Sequence, residues 1–107
     1  MIEELLLRRL VGVPVMFERQ PDFAPPGIVI ERTGELLRDH VSTLTFAADC
    51  YGTSLYEAAK LCDDLTGAVT GLAGEGEVGA AWLETTYNAT SGGSYRYKNV
   101  FKITRII

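Results

Sequence analysis

The chain has a single histidine, His40, and its two cysteines, Cys50 and Cys62, stand far apart with no CxxC pair. A histidine-based metal cluster or a His-assisted nucleophile would have to be built around that one imidazole. Neither HExxH, a Walker loop, GxSxG nor a dinucleotide fingerprint occurs, so the usual sequence marks of catalysis and of cofactor binding are missing. A basic excess is also lacking. Ten Lys and Arg face fourteen Asp and Glu, for a net charge of −4, whereas proteins that hold a phosphate backbone gain affinity through clustered positive charge. Long apolar runs are absent too. The opening "MIEELLLRRLVG" is too short and too charged for a signal peptide or a membrane span. Without a secretory route the cysteines are expected as free, buried, small hydrophobes in a reducing compartment, and the Asn88-Ala89-Thr90 sequon as a chance match.

What is present is an ordinary globular composition, 47% hydrophobic over 107 residues, enough for one domain spanning 1–107 with a core that needs no staples. Ile2, Leu5, Leu6 and Leu10 share one face of a first helix, with Glu3 and Glu4 leading and Arg8 and Arg9 closing it. Val15 to Arg19 and Gly27 to Arg32 read as strands separated by "QPDFAPPG", whose three prolines forbid regular structure. "TGELLRDH" reads as a turn or a wide loop. His40 to Tyr51 alternates as a long strand with Leu44, Phe46, Ala48 and Cys50 inward. Ser54 caps a helix reaching about Leu72, with Glu57 completing a capping box. Gly79 to Thr90 and the closing "SYRYKNVFKITRII" are two strands joined by "SGGS", a glycine-rich reversal. The expected class is α+β, in the order helix, three strands, helix, two strands: a mostly antiparallel sheet with two helices on one face.

The other polar clusters carry little chemistry. "GLAGEGEVG" follows a helix, lacks lysine and carries two glutamates, which suits a linker better than a phosphate cradle. Asp63 and Asp64 point about 100° apart on a helix and make a poor acid–base pair. On the last strand, alternation puts Tyr95, Tyr97, Phe101 and Ile103 inward and Arg96, Lys98 and Lys102 outward. Nucleic-acid strands need aromatic platforms and basic groups on one surface, and here alternation separates them. On the preceding strand Ala81, Leu83, Thr85 and Tyr87 point one way, and Trp82, Glu84, Thr86 and Asn88 the other. Trp82, Glu84 and Thr86 thus join Arg96, Lys98 and Lys102 on one open face. That mixture of a tryptophan and both charges fits a protein–protein surface, with Glu84 a natural cross-subunit partner for a basic group. Phe23, apolar in a loop that cannot be a core strand, either staples that loop or meets a partner.

In layout the chain resembles the tail-terminator (tail-completion) proteins of long-tailed bacteriophages and prophages. The likeness rests on "SYRYKNVFKITRII" and "SLYEAAKLCDDL", and on the run of a first helix, strands, a proline-broken loop, a central helix and two final strands. It implies a structural protein with no catalytic residue, cofactor or metal. Such a protein forms a ring, commonly a hexamer, in the virion tail. The ring caps the tail tube and offers the head connector a docking surface, with neither membrane nor specific nucleic acid as partner. Phe23, Trp82, Glu84, Arg96, Lys98 and Lys102 are then the candidate subunit or tube contacts. Two other readings stay open: a small nucleic-acid-binding domain using the last strand, and a non-catalytic ligand-binding domain with Asp49, Tyr51 and His40 near a pocket between helix and sheet.

Overall fold

In the computed structural model, which describes every residue from Met1 to Ile107, the acidic-to-basic opening becomes helix α1 (Ile2–Arg9). Each charge type sits at the helix end whose partial charge favours it. Ile2, Leu6 and Leu10 are buried. Two ion pairs tie the helix down, Arg32 to Glu3 at 2.7 Å and Arg9 to Glu75.

The strands are β1 (Val15–Met16), β2 (Gly27–Arg38) and β3 (Val41–Gly52) before helix α2 (Leu55–Thr70), then β4 (Val78–Asn88) and β5 (Tyr95–Ile106). They form one five-stranded sheet in the order β1-β2-β3-β5-β4, antiparallel except for the short β1–β2 pair. The α+β class and the order helix, three strands, helix, two strands are those expected. Both helices lie on one face, where Leu44, Phe46, Ala48 and Cys50 of β3 meet Phe101 and Ile103 of β5 and the apolar stripe of α2. Phe46 and Phe101 stack at the centre, ring centroids 5.1 Å apart.

"TGELLR" is neither a turn nor a loop. β2 continues through it to Arg38, and the reversal is a two-residue turn at Asp39 and His40, both in the left-handed region (φ 52° and 66°) that such hairpins require. A bulge at Thr33, between Arg32 and Gly34, interrupts the alternation and hides the strand from a period-two reading. The same device acts on β4. Leu83 pairs with Phe101 but Thr85 pairs with Val100, so Glu84 is an extra residue. Beyond it the faces exchange: Thr86 turns to the helix side, its hydroxyl 3.4 Å from the Cys62 sulfur, and Thr85 and Tyr87 join the open face. The expected assignment of Thr85 and Tyr87 to the core side, and of Thr86 and Asn88 to the outer side, is therefore corrected.

On β5 the alternation holds from end to end. Tyr95 shares the inward direction but, at the strand's beginning, is 39% exposed. Asn99 falls in the inward row and is completely buried.

Candidate functional site

The helix-free face of the sheet is a set of cross-strand rows fixed by register. One row runs Gly34, Thr45, Lys102, Trp82. Another runs Val29, Asp49, Lys98, Tyr87. Arg96 and Tyr51 are neighbours in a third. Five of the six candidate contacts, Trp82, Glu84, Arg96, Lys98 and Lys102, therefore come together on this face.

Some of its charges are answered within the chain. The bulge swings Glu84 toward β5, where its carboxylate lies 3.2 Å from the Lys102 ammonium. This pair is intramolecular, so the expected cross-subunit role of Glu84 is not needed to satisfy it. Lys98 sits opposite Asp49. The Arg96 guanidinium lies over the Tyr51 ring, 5.8 Å from its centroid, and donates to the Tyr51 hydroxyl at 3.4 Å. That hydrogen bond holds the Arg96 pKa above its ordinary value.

Phe23, the sixth candidate, belongs to the proline-rich segment, which folds back over one end of the same face. Its ring meets Tyr51 edge-on at 5.2 Å, and Arg19 reaches over both rings, at 5.8 Å and 5.3 Å. Gly27 leaves the space this requires, since a Cβ there would come within 2.7 Å of the Phe23 ring. Beside this strap is a cleft of about 310 Å³ walled by Phe17, Arg19, Ala47, Asp49, Tyr51 and Lys98. The Asp49 Oδ1 is buried there without a hydrogen-bond partner.

The ligand-pocket reading changes shape in consequence. Asp49 and Tyr51 do share a cleft, but it opens on the bare face of the sheet instead of lying between helix and sheet. His40 is at the hairpin tip, nine residues along β3 from Asp49, or about 30 Å at strand rise.

Sequence reasoning missed two residues. Tyr87 was hidden by the Glu84 bulge, which no glycine or proline announces. Asn99 could have been found, because the inward series Tyr95, Tyr97, Phe101, Ile103 passes straight through it. Under α2 the Cys62 thiol donates to the Asn99 Oδ1 at 2.9 Å, and the Asn99 amide donates to the Ala48 carbonyl at 3.3 Å and to the Cys50 sulfur at 3.5 Å. Both cysteines are free and buried. Burial pushes the Cys50 thiol far up, away from the thiolate form a nucleophile or metal ligand needs.

No cluster of three or more His, Cys, Asp or Glu side chains has the arrangement of a metal site, and no helix is long and apolar enough to cross a membrane. What the open face offers is a broad surface of mixed charges with Trp82 (39% exposed) and Tyr87 (51%) along one margin. No protein-family model matches the chain, and no curated protein matches it.

Proposed function

We propose that the chain is a structural subunit of a ring that caps a phage tail tube and presents a docking surface to the head connector, as its resemblance to tail-terminator proteins implies. The observation that supports this best is the open face. It carries aromatic side chains among charges of both signs, with Lys102 already paired to Glu84 and Arg96 bonded to the Tyr51 hydroxyl. Burying such a surface against protein strands fewer ions than burying isolated charges would, and leaves Lys98 and the unpartnered Asp49 Oδ1 for a partner to meet. The net charge of −4 also suits a ring through which DNA passes without sticking.

The deciding experiment is absolute mass by light scattering after size exclusion, over a range of concentration and salt, with electron microscopy of polymerised tail tubes mixed with the protein. A limiting mass of several subunits, and rings at tube ends, is the expected result. A single-chain mass at every concentration, with tube ends left bare, overturns the reading.

One observation favours a second reading. The Glu84 bulge brings Tyr87 onto the face that holds Trp82 and the basic row, so aromatic and basic groups do share a surface. Binding of single-stranded DNA that weakens steeply with salt would move the assignment there.

A further inference from the structure

The sheet ends in two unpaired edges of different character. β1 covers only Ile28 and Val29, so β2 is bare from Glu31 to Arg38, and β4 has no outer neighbour along its whole length. Monomeric proteins blunt such edges with lysine, proline, inward charges or bulges. Neither edge stretch contains a lysine or a proline, and the one charge on β4, Glu84, is turned back onto Lys102. On β2 the inward charges Arg32 and Glu35 are taken up within the chain by Glu3 and Arg105, and the bulges leave Gly34–Arg38 and Ala81–Leu83 regular. Leu36 and Leu37 on the first edge are each 62% exposed.

The two edges fit each other. Antiparallel pairing from β2 through β3 and β5 to β4 leaves the outer strands running in opposite directions. A second copy beside the first therefore continues the sheet with an antiparallel seam. Gly34 and Trp82 are the two ends of one cross-strand row, through Thr45 and Lys102. Without stagger at the seam, the indole of one copy comes opposite the glycine of the next. Gly34 adjoins the Thr33 bulge, but nothing in its own conformation or packing demands glycine: its φ is not in the left-handed region, and a Cβ there would meet nothing within 4 Å. Glycine within a strand commonly marks close approach by something else, and an aromatic side chain laid across a glycine from the next strand is a stabilising pair.

The geometry points to a head-to-tail contact between copies of this chain, in which β4 of one copy pairs antiparallel with the β2 edge of the next and Trp82 covers Gly34. The contact rests on the ring reading for its closure, since a heterologous interface closes into a ring only if the rotation between copies allows it. The seam itself does not depend on closure.

The test uses full-length protein and three variants. Gly34→Thr fills the proposed seat with a residue that suits a strand. Its thermal midpoint is expected to be at least that of the wild type, while the solution mass falls from several subunits to one. Trp82→Ala is expected to have a single-chain mass as well. Mixing the two single-site variants leaves one intact seam, the Trp82 of the first on the Gly34 of the second, and a 1:1 pair is expected. A double variant, Gly34→Cys with Trp82→Cys, is expected to cross-link between copies under oxidised glutathione. Three strand spacings, about 14 Å, separate the two sites within a chain, beyond the roughly 7 Å that a disulfide can span.

A wild-type ring whose mass Gly34→Thr leaves unchanged overturns the seam and leaves the ring reading standing. Mixed pairs from a wild type whose mass climbs with concentration and reaches no limit support the seam and overturn the ring. Single chains in every mixture, with no cross-link, overturn the seam outright.

Discussion

The two faces of this sheet are made from the same strands, often from adjacent residues, yet follow different rules. On the helix side Phe46, Ala48, Phe101 and Ile103 are fully buried, and each fills space shared with α2 or with one another. On the open side Thr45, Ala47, Val100 and Lys102 are only half-buried, with no helix over them. The first face is held by packing that no other molecule need supply. The second is held by cross-strand pairs and remains available. Stability is concentrated on one face and recognition on the other, so a substitution's effect should depend on which way its side chain points.

Phe101 and Val100 give the sharpest form of that comparison, because one peptide bond separates them. Phe101→Ala removes half of the stacked pair at the core centre and is expected to cost about 3–5 kcal/mol of stability. Val100→Ala is expected to cost under about 1.5 kcal/mol, the range for losing a small, half-buried side chain. Denaturant titration of both measures the difference, and equal losses would erase the distinction between the faces.

Asn99 tests whether the covered face tolerates polarity only when it is answered. Asn99→Ala leaves the Cys62 thiol with only the longer Thr86 contact and the Ala48 carbonyl without the amide donor. A loss of about 1–3 kcal/mol is expected from stranding buried polar groups. Asn99→Leu, which matches its bulk without its polarity, should recover little of it. If the leucine variant equals the wild type in chemical denaturation, the network contributes shape alone.

The covered face was legible wherever alternation ran unbroken. The inward series of β3 and the Phe101 and Ile103 pair follow from period two alone, and the stripe of α2 from its helical spacing. Legibility stopped at the bulges. Thr33 and Glu84 each add one residue, and one residue is enough to reverse every later side chain. Neither is itself a glycine or proline, and only the Thr33 bulge has a glycine beside it, so composition gives little warning. That reversal is what misplaced Tyr87 and concealed the second half of β2. The open face was legible as a list, Trp82, Glu84, Arg96, Lys98 and Lys102, because all five precede or escape the parity change. Its internal pairing was not, because the Glu84–Lys102 contact depends on the bulge itself. Phe23 could be assigned to a loop but not to Tyr51, since the two meet only when the proline-rich segment folds back.

The covered face exists only while α2 stays in place, so the mildest probe is the first turn of that helix. Ser54 accepts from the Glu57 N–H at 3.1 Å, and the Glu57 carboxylate accepts from the Thr53 N–H at 2.7 Å and the Thr53 hydroxyl at 2.8 Å. The carboxylate thus reaches one residue further back than a capping box requires, and answers Thr53 instead of the N-cap's own N–H. Ser54→Ala is expected to cost about 1 kcal/mol at neutral pH, the usual loss for an N-cap. The backbone hydrogen bond from Thr53, followed by that from its hydroxyl, holds the Glu57 carboxyl below its ordinary 4.5. A lowered folded pKa means that the unfolded chain binds the proton more readily. The Glu57 contribution is therefore complete above the ordinary carboxylate range and disappears as pH falls through the lowered folded value. Glu57→Gln should flatten that acid limb and leave the neutral-pH effect of Ser54→Ala in place. Glu35 is also held low, first by the Ser42 hydroxyl, and it points to the helix side as well, opposite Leu44, yet it lies at the end of β2 that the helices leave uncovered. Acid titration followed residue by residue should therefore loosen the hairpin around Glu35 without disturbing Phe46 and Phe101, whereas release of Glu57 should disturb α2 and the core beneath it. If both carboxylates release the core equally, the two regions are one cooperative unit and the comparison fails.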